Sequence, residues 1–201
     1  MGVAEAEPVT VAALGDSLTQ GFGLTPDDGF VPQLQVWLDG QGADVQMINA
    51  GVSGDTTAGG LSRIEWTLTP DVDALIVALG GNDLLRGIDP AASRANLSGI
   101  LQVADARGLP VLLVGLEAPS NYGAEYKAAF DAIYRELAEE FGALYHENFL
   151  GALLDGNDRQ TALTELMQGD AVHPNAAGVA LIIADIGPRV MELVSLARTR
   201  E

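Results

Sequence analysis

The feature that most constrains the fold is an apolar run that ends abruptly at a serine. Residues 9–14, Val-Thr-Val-Ala-Ala-Leu, are followed directly by Gly15-Asp16-Ser17. This pattern predicts a buried strand that breaks into a tight turn. In an open α/β sheet the carboxyl ends of the strands face the ligand crevice, so Ser17 is a candidate nucleophile there. The same pattern also fits a serine that only caps a helix.

Further apolar runs follow, and segments with helical periodicity separate them. The predicted strands cover residues 9–14, 44–50, 73–79, 111–116 and 143–145, and the predicted helices cover residues 30–39, 58–68, 91–107, 125–141, 159–167 and 174–197. We expect Gly187-Pro188 to kink or divide the last helix. Strands that alternate with helices in this way predict a parallel sheet with helices on both faces. The loops after the strands should then meet at one edge of the sheet.

Composition narrows the class of protein further. The chain has 201 residues, 48% of them hydrophobic, which favours a single domain spanning residues 1–201. Its formal net charge of -18 argues against nucleic acid and anionic membranes as partners. The only lysine is Lys127, so a lysine-based phosphate site is not expected. The absence of cysteine excludes a thiolate nucleophile, and the apolar runs are too short to span a bilayer.

A nucleophilic serine needs a base and a group that orients the base, and the chain offers only two histidines. His173 lies three residues after Asp170, a spacing that lets a turn bring the carboxylate onto one ring nitrogen. His146 has no comparable partner in a turn, although Glu147 could pair with it. We therefore predict His173 as the base and Asp170 as its orienting acid. The alternatives are a capping or core histidine and an exposed or capping carboxylate.

Acyl transfer also needs hydrogen-bond donors for the oxyanion that develops in the transition state. Gly54 follows the second predicted strand, and a residue without Cβ lets its N–H approach a substrate closely. Asn82 follows the third strand and can add a side-chain amide. Together with the Ser17 N–H these groups would form an oxyanion hole. Taken singly, Gly54 also fits an ordinary loop glycine and Asn82 a turn residue.

Considered together, these segments resemble the SGNH (GDSL) hydrolases, in the branch that contains thioesterase I and arylesterases. The resemblance covers nearly the whole chain and rests on four segments in the family's order. They are Gly15-Asp16-Ser17-Leu18, Gly51-Val52-Ser53-Gly54-Asp55-Thr56-Thr57, Gly80-Gly81-Asn82-Asp83 and Asp170-Ala171-Val172-His173-Pro174-Asn175. It places the nucleophile, oxyanion donors, acid and base on the residues already named, and Ala171 stands where many members have glycine. It implies a flavodoxin-like three-layer α/β/α sandwich with a five-stranded parallel sheet.

The resemblance also implies a function, a serine esterase that forms an acyl-enzyme. We expect aryl and short- to medium-chain acyl esters as small-molecule substrates, with thioesters and lysophospholipids as further possibilities, and no metal or organic cofactor. Leu84, Leu85, Ile88 and Tyr122 are candidates for the substrate pocket, although the three aliphatic residues also fit a buried helix start. The alternatives are a carbohydrate O-acetyl esterase of the same family and a non-catalytic flavodoxin-like binding module.

Cellular location and assembly are less constrained by the sequence. Members of this branch are often periplasmic, so we expect a periplasmic or secreted protein, with the cytoplasm as the alternative. The first residues, Met-Gly-Val-Ala-Glu-Ala-Glu-Pro, lack the basic and apolar regions of a signal peptide. We expect no stable membrane insertion, and the sequence carries no signal for an oligomeric state.

Overall fold

The computed structural model describes residues 7–154 and 158–200, with no description of the Arg159 side chain. The described strands form one parallel sheet in the order β2-β1-β3-β4-β5. They are β1 (Val9–Gly15), β2 (Val45–Gly51), β3 (Ala74–Ala78), β4 (Val111–Val114) and β5 (Leu144–His146). Strands β1, β3 and β4 are buried along their whole length, which explains why their sequences are continuously apolar rather than alternating.

Helices connect the strands and cover both faces of the sheet. The helices are α1 (Ser17–Gln20), α2 (Phe30–Gly40), α3 (Thr57–Thr67), α4 (Gly81–Leu85), α5 (Pro90–Ala106), α6 (Ala124–Phe141), α7 (Arg159–Glu165) and α8 (Ala176–Arg198). Short 3₁₀ turns lie at Pro26–Asp28, Ser120–Tyr122 and Gly151–Leu153. The predicted long helices are all present within one or two residues. The sequence placed Ser17 at a turn or a helix start without giving a helix there, and it assigned no helix to the residues of the short α4, although Leu84 and Leu85 also fitted a helix start.

Strand order decides which helices share a face. The connection from β1 to β2 runs toward one edge of the sheet, and the connections from β2 onward run toward the other edge. Because crossovers between parallel strands are right-handed, this reversal puts α2 on one face of the sheet and α3, α5 and α6 on the opposite face. In agreement, α2 packs against α8, and α5 packs between α3 and α6. The reversal also leaves a crevice outside the carboxyl ends of β1 and β3, where ligands bind in folds of this kind.

The expected division of the last helix is wrong. Helix α8 runs unbroken from Ala176 to Arg198 with Pro188 inside it. Pro188 is exposed, so the backbone carbonyl that loses its hydrogen bond there lies on the solvent side. The preceding Gly187 is buried, and a Cβ at this position would come within 2.8 Å of the Trp37 ring. Gly187-Pro188 therefore marks the close packing of α8 on α2 instead of a helix boundary.

Candidate active site

Ser17 lies just beyond the carboxyl end of the interior strand β1, in the first turn of α1. Asp16, not Ser17, caps this helix, because its Oδ1 accepts a hydrogen bond from the Leu18 N–H at 3.0 Å. The interpretation of Ser17 as a helix cap is therefore wrong. The turn is tight, since a Cβ on Gly15 would lie 1.9 Å from Thr19 Oγ1. The Ser17 hydroxyl is thus free to point into the crevice.

The segment from Asp170 to His173 folds into the turn that the spacing predicted. Asp170 Oδ1 accepts hydrogen bonds from the Val172 N–H at 2.9 Å and the His173 N–H at 3.0 Å, while Oδ2 lies 2.7 Å from His173 Nδ1. The backbone hydrogen bond from His173, the contact with its ring and the bond from Val172 lower the pKa of Asp170 to about 2. Asp170 is therefore an anion over the whole range in which enzymes are assayed.

Ala171 completes this turn in the left-handed region, with φ at 57°. It is the position where many members of the family carry glycine, which adopts this conformation without strain. Ala171 also lines the cavity at Ser17. The departure from the family pattern is therefore a matter of backbone strain rather than of catalytic chemistry.

His173 reaches Ser17 from the opposite side of the crevice. Its Nε2 lies 2.8 Å from Ser17 Oγ, across 156 residues of sequence. The Phe22 ring packs on the imidazole with ring centroids 4.8 Å apart. Gln168 connects the loop that carries Phe22 with the segment that carries His173, because its side-chain amide donates hydrogen bonds to the carbonyls of Phe22 at 2.8 Å and Pro174 at 3.0 Å. The imidazole is thus held on both sides before any substrate arrives.

The second histidine lies elsewhere in the fold. His146 ends β5, and its Nε2 lies 3.4 Å from Asp185 on α8, so its ion-pair partner is Asp185 and not Glu147, which the sequence offered as one possibility. Burial lowers the pKa of His146 despite the opposing effect of Asp185. His146 does not line the cavity that contains Ser17.

Three hydrogen-bond donors face the region in front of Ser17. The Ser17 and Gly54 N–H groups have no acceptor among the described residues, and Gly54 adopts a φ of 80° that favours glycine. The Asn82 side-chain amide donates one hydrogen to Asp16 Oδ2 at 3.3 Å and keeps its second hydrogen for another acceptor. All three residues line the same cavity, as the sequence predicted.

Asp16 also lines this cavity, and sequence reasoning missed it although it stands directly before Ser17. It is 2% exposed, and burial raises its pKa to about 6 against the lowering effects of Leu18, Asn82 and His173. Its carboxylate fixes the Asn82 amide on one side and the first turn of α1 on the other. The sequence feature that could have identified Asp16 is a carboxylate placed directly after a mostly apolar run that predicts a buried strand.

Asp83, Arg86 and Arg63 form the frame that holds the donors, and sequence reasoning did not single them out. The buried Asp83 carboxylate accepts hydrogen bonds from the Thr57 N–H at 2.9 Å and hydroxyl at 2.6 Å. Arg86 donates to the Gly54 carbonyl at 2.8 Å. Arg63 pairs with Asp55 at 2.7 Å and donates to carbonyls at the ends of β1 and β2. The loop that carries Gly54 is thus fixed to the segments that carry Ser17 and Asn82.

The cavity in front of Ser17 has a volume of about 650 Å³ and a mostly apolar lining. Leu84, Leu85 and Tyr122 line it, and the Tyr122 hydroxyl donates to the Leu84 carbonyl at 2.5 Å. Leu84 is buried, whereas Leu85 is 65% exposed at the mouth. Ile88 does not line the cavity, so its prediction as a pocket residue is not supported. It lies past the end of α4, where its carbonyl accepts a hydrogen bond from the Tyr126 hydroxyl at 2.8 Å.

A serine, a histidine and a carboxylate lie within hydrogen-bonding distance in this order at the carboxyl edge of a parallel sheet. This arrangement is typical of hydrolases that use a nucleophilic serine. Comparison with known proteins gives the family. The chain matches the GDSL-like Lipase/Acylhydrolase family over residues 13–181. It therefore belongs to the GDSL, or SGNH, hydrolases, and it is a carboxylic ester hydrolase.

The relatives agree in name and in structure. The chain is 36% identical over 191 residues to "Esterase TesA" of Pseudomonas aeruginosa, covering 94% of this chain and 92% of the relative. It is 32% identical over 187 residues to "Thioesterase 1/protease 1/lysophospholipase L1" of Escherichia coli, covering 92% and 85%. The crystal structure of AlinE4, an SGNH-hydrolase family esterase, superposes with a TM-score of 0.76 at 44% identity and 94% and 98% coverage.

These comparisons confirm three predictions, namely the family, the α/β sandwich with a five-stranded parallel sheet, and the hydrolase class. The extent of the domain, residues 1–201, and the roles of individual residues stay predictions. In the described part of the chain, no helix combines the length and hydropathy needed to cross a membrane.

Proposed function

We propose that this esterase works through a Ser17-His173-Asp170 triad and a covalent acyl-enzyme. The observation that carries the proposal is the continuous hydrogen-bonded chain from Ser17 Oγ through both nitrogens of His173 to Asp170, with distances of 2.8 and 2.7 Å. The ionised Asp170 selects the tautomer in which Nδ1 carries the proton and Nε2 accepts. Nε2 then faces the hydroxyl that must lose its proton.

In the first step His173 takes the Ser17 proton as Oγ attacks the acyl carbonyl of the ester. The carbonyl oxygen becomes an oxyanion, which the N–H groups of Ser17 and Gly54 and the Asn82 amide stabilise. His173 then gives the proton to the alcohol oxygen, and the alcohol leaves. Each oxyanion donor in such a site lowers the barrier by about 3–4 kcal/mol.

In the second step water repeats the attack on the acyl-enzyme. His173 removes a proton from the water, and the same donors hold the second oxyanion. The bond to Ser17 Oγ breaks, His173 returns the proton to Oγ, and the carboxylic acid departs. The described residues supply every group that this cycle needs without a metal or an organic cofactor.

We further propose aryl and short- to medium-chain acyl esters as substrates, with thioesters and lysophospholipids as related candidates. The apolar lining of the cavity, with Leu84, Leu85 and Tyr122, favours such acyl groups. The names of the relatives, which include esterase, thioesterase 1, lysophospholipase L1 and arylesterase, agree with this range. The periplasmic or secreted location implied by the family resemblance stays a prediction.

The test is hydrolysis of p-nitrophenyl esters from acetate to palmitate by the wild type and by Ser17→Ala and His173→Ala. We expect both variants to lose about 10⁴-fold or more in kcat, because the groups of a triad act as a unit. His146→Gln is the matched control, because His146 is the other histidine and lies outside the cavity. Its kcat should stay within about twofold of the wild type. An organophosphate should label the wild type on Ser17 alone.

Hydrolysis retained by Ser17→Ala, or an organophosphate label on a different residue, would refute the assignment of the nucleophile. Hydrolysis lost equally in the His146 and His173 variants would refute the assignment of the base. Circular dichroism and the thermal midpoint of each variant separate loss of chemistry from loss of fold.

A further inference from the structure

A second apolar chamber adjoins the catalytic cavity, and the proposed function does not use it. Its volume is about 500 Å³, and the surface that it exposes is mostly apolar. It lies between the loop after β4 and the helix α7. The residues that line it without reaching the catalytic cavity include Leu153, Leu154, Ala162 and Leu163. The described part of the fold thus contains more apolar space beside Ser17 than one short acyl group fills.

The two spaces share a wall. Leu116, Pro119, Leu150 and Met167 line both of them, together with Glu117. Leu116 is nearly buried, whereas Leu150 and Met167 are half-buried and face both sides. A substrate held at Ser17 therefore needs to pass only these side chains to enter the second chamber.

The second chamber adjoins the side of the site that carries the base. Met167, which lines the chamber, pairs with Pro174 in an isolated antiparallel bridge. The next residue, Gln168, donates its N–H to the His173 carbonyl at 2.7 Å. Leu84 and Leu85 instead follow Asn82, a proposed oxyanion donor, and Tyr122 joins their side of the cavity through its hydrogen bond to the Leu84 carbonyl. The catalytic cavity thus has two apolar arms, one beside His173 and one beside Asn82.

The chemistry assigns the two arms to different parts of the ester. In the tetrahedral intermediate the alcohol oxygen must face His173 Nε2, because it receives the Ser17 proton as its bond to the acyl carbon breaks. The acyl chain keeps its bond to that carbon and extends away from the base. We propose that the second chamber is the subsite for the alcohol part of the ester and that it takes a long primary alkyl or aryl group. This proposal rests on the esterase mechanism above.

Charge in the chamber favours a neutral alcohol over a phosphorylated one, so among the candidate substrates we expect it to hold the alcohol part of alkyl and aryl esters and not that of lysophospholipids. Among the described residues, Lys127 is the only cationic side chain in the lining of the chamber, and its ammonium group is already occupied. It contacts Glu117 Oε1 at 2.6 Å, Asp131 Oδ2 at 2.8 Å and the Ala118 carbonyl at 2.8 Å. An ammonium group has three donors, so none is left for an anionic head group.

The test compares two ester series in the wild type and in Leu154→Asp. One series keeps the acetyl group and lengthens the alcohol from butanol to decanol, and the other keeps p-nitrophenol and lengthens the acyl group over the same range. Leu154 is 55% exposed, so a carboxylate there should leave the fold intact while it disfavours an apolar guest. Leu181→Asp is the matched control, because Leu181 is 41% exposed on α8 and lines neither space.

In the wild type we expect kcat/KM to rise by up to about fourfold for each methylene added to the alcohol, the equivalent of about 0.8 kcal/mol per buried CH₂. Leu154→Asp should flatten this rise. It should leave the dependence on acyl length in the p-nitrophenyl series unchanged, because p-nitrophenol is the same in every member, and it should leave the rate of deacylation unchanged, because the acyl-enzyme no longer contains the alcohol. Leu181→Asp should match the wild type in both series. A wild type that is insensitive to alcohol length, or a variant that flattens the acyl series instead, would overturn the proposal.

Binding of 1-decanol to Ser17→Ala, measured by calorimetry, tests the chamber without turnover. The additional change Leu154→Asp should weaken this binding about tenfold or more, and Leu181→Asp should not change it. Equal affinity in all three proteins would overturn the alcohol subsite. Loss of all ester hydrolysis in the wild type would instead overturn the esterase mechanism, so the two failures are distinguishable.

Discussion

Asp16 shows how a single residue is changed by its position in the fold. An exposed aspartate is mostly ionised above about pH 4, whereas burial raises the pKa of Asp16 from 3.8 to about 6. The folded protein therefore binds a proton here more tightly than the unfolded chain does. The contribution of Asp16 to stability is complete below pH 3.8 and decreases as the pH rises through 6.

We expect the free energy of unfolding of Asp16→Asn, relative to that of the wild type, to increase by up to about 3 kcal/mol between pH 4 and pH 7.5. The physical reason is that the neutral amide carries no cost of burying a charge, whereas the wild-type carboxylate becomes charged over this range. At pH 7.5 the variant should be the more stable protein. Urea unfolding of both proteins between pH 4 and pH 7.5 measures this. The difference should develop mainly between pH 4 and pH 6.

Asp170→Asn provides the contrast, because the folded-state pKa of Asp170 is lowered to about 2. Its stabilising effect is present above pH 3.8 and lost as the pH falls toward 2, so the two aspartates should give opposite pH trends. A stability difference between wild type and Asp16→Asn that does not change with pH would show that the buried carboxylate is not destabilised in the fold.

At the scale of secondary structure, the short helix α4 joins three elements through one buried carboxylate. Asp83 is fully buried and accepts hydrogen bonds from the Thr57 N–H and hydroxyl at the start of α3 and from the Ser93 hydroxyl on α5 at 2.9 Å. Asn96 adds a fourth member by donating to the Thr57 hydroxyl at 3.0 Å. The relative positions of the Gly54 loop and Asn82 therefore depend on this network.

We expect Asp83→Ala to lower the free energy of unfolding by about 3 kcal/mol or more, because it leaves three buried donors without an acceptor at about 1–3 kcal/mol each. It should also lower kcat, since Gly54 and Asn82, the proposed oxyanion donors, lose the network that fixes their relative positions. Asp89→Ala is the matched control, because Asp89 lies six residues along the chain and only caps α5 through the Ala91 N–H at 2.9 Å. That change should cost about 1 kcal/mol and leave kcat as it is.

Chemical denaturation and ester hydrolysis, measured on both variants, decide the point. If Asp83→Ala and Asp89→Ala had equal effects on stability and kcat, the buried network would have no special role in the site.

At the scale of the whole molecule, charge is the property that most distinguishes this chain. Its formal net charge of -18 arises from 28 acidic and 10 basic residues. Several basic residues form ion pairs on the surface, among them Arg94 with Glu136 and Arg189 with Glu192. These pairs cannot balance the acidic excess, so the folded state experiences repulsion between its own carboxylates.

We expect added NaCl to raise the thermal midpoint at pH 7.5, by about 5 °C between 0.05 M and 1 M, because the screening length falls to about 3 Å at the higher concentration. Differential scanning calorimetry measures the midpoint. Near pH 4.1, the isoelectric point of the sequence, the same salt series should change it little. A midpoint that falls with salt at pH 7.5 would mean that the surface ion pairs outweigh the repulsion.

The sequence by itself determined the order of strands and helices, the segments that end at the site, and the family. These features depend on local periodicity and on turn chemistry within a few residues, as at Asp170 and His173, so they can be recognised along the chain. Short elements such as α4 were missed, because five residues are too few to show a helical period. The roles proposed for Ser17, Gly54 and Asn82 came from the same local patterns and stay predictions.

Only the tertiary structure decided the features that depend on contacts between distant segments. Burial by elements far apart in sequence raises the pKa of Asp16. Packing of distant segments also brings Asp83 to Thr57 and places His146 next to Asp185. The same packing keeps α8 continuous through Pro188 and excludes Ile88 from the cavity that Ser17 faces. The second chamber forms where α7 meets the loop after β4. No local pattern encodes these contacts, because each depends on how strands and helices distant in sequence are placed against one another.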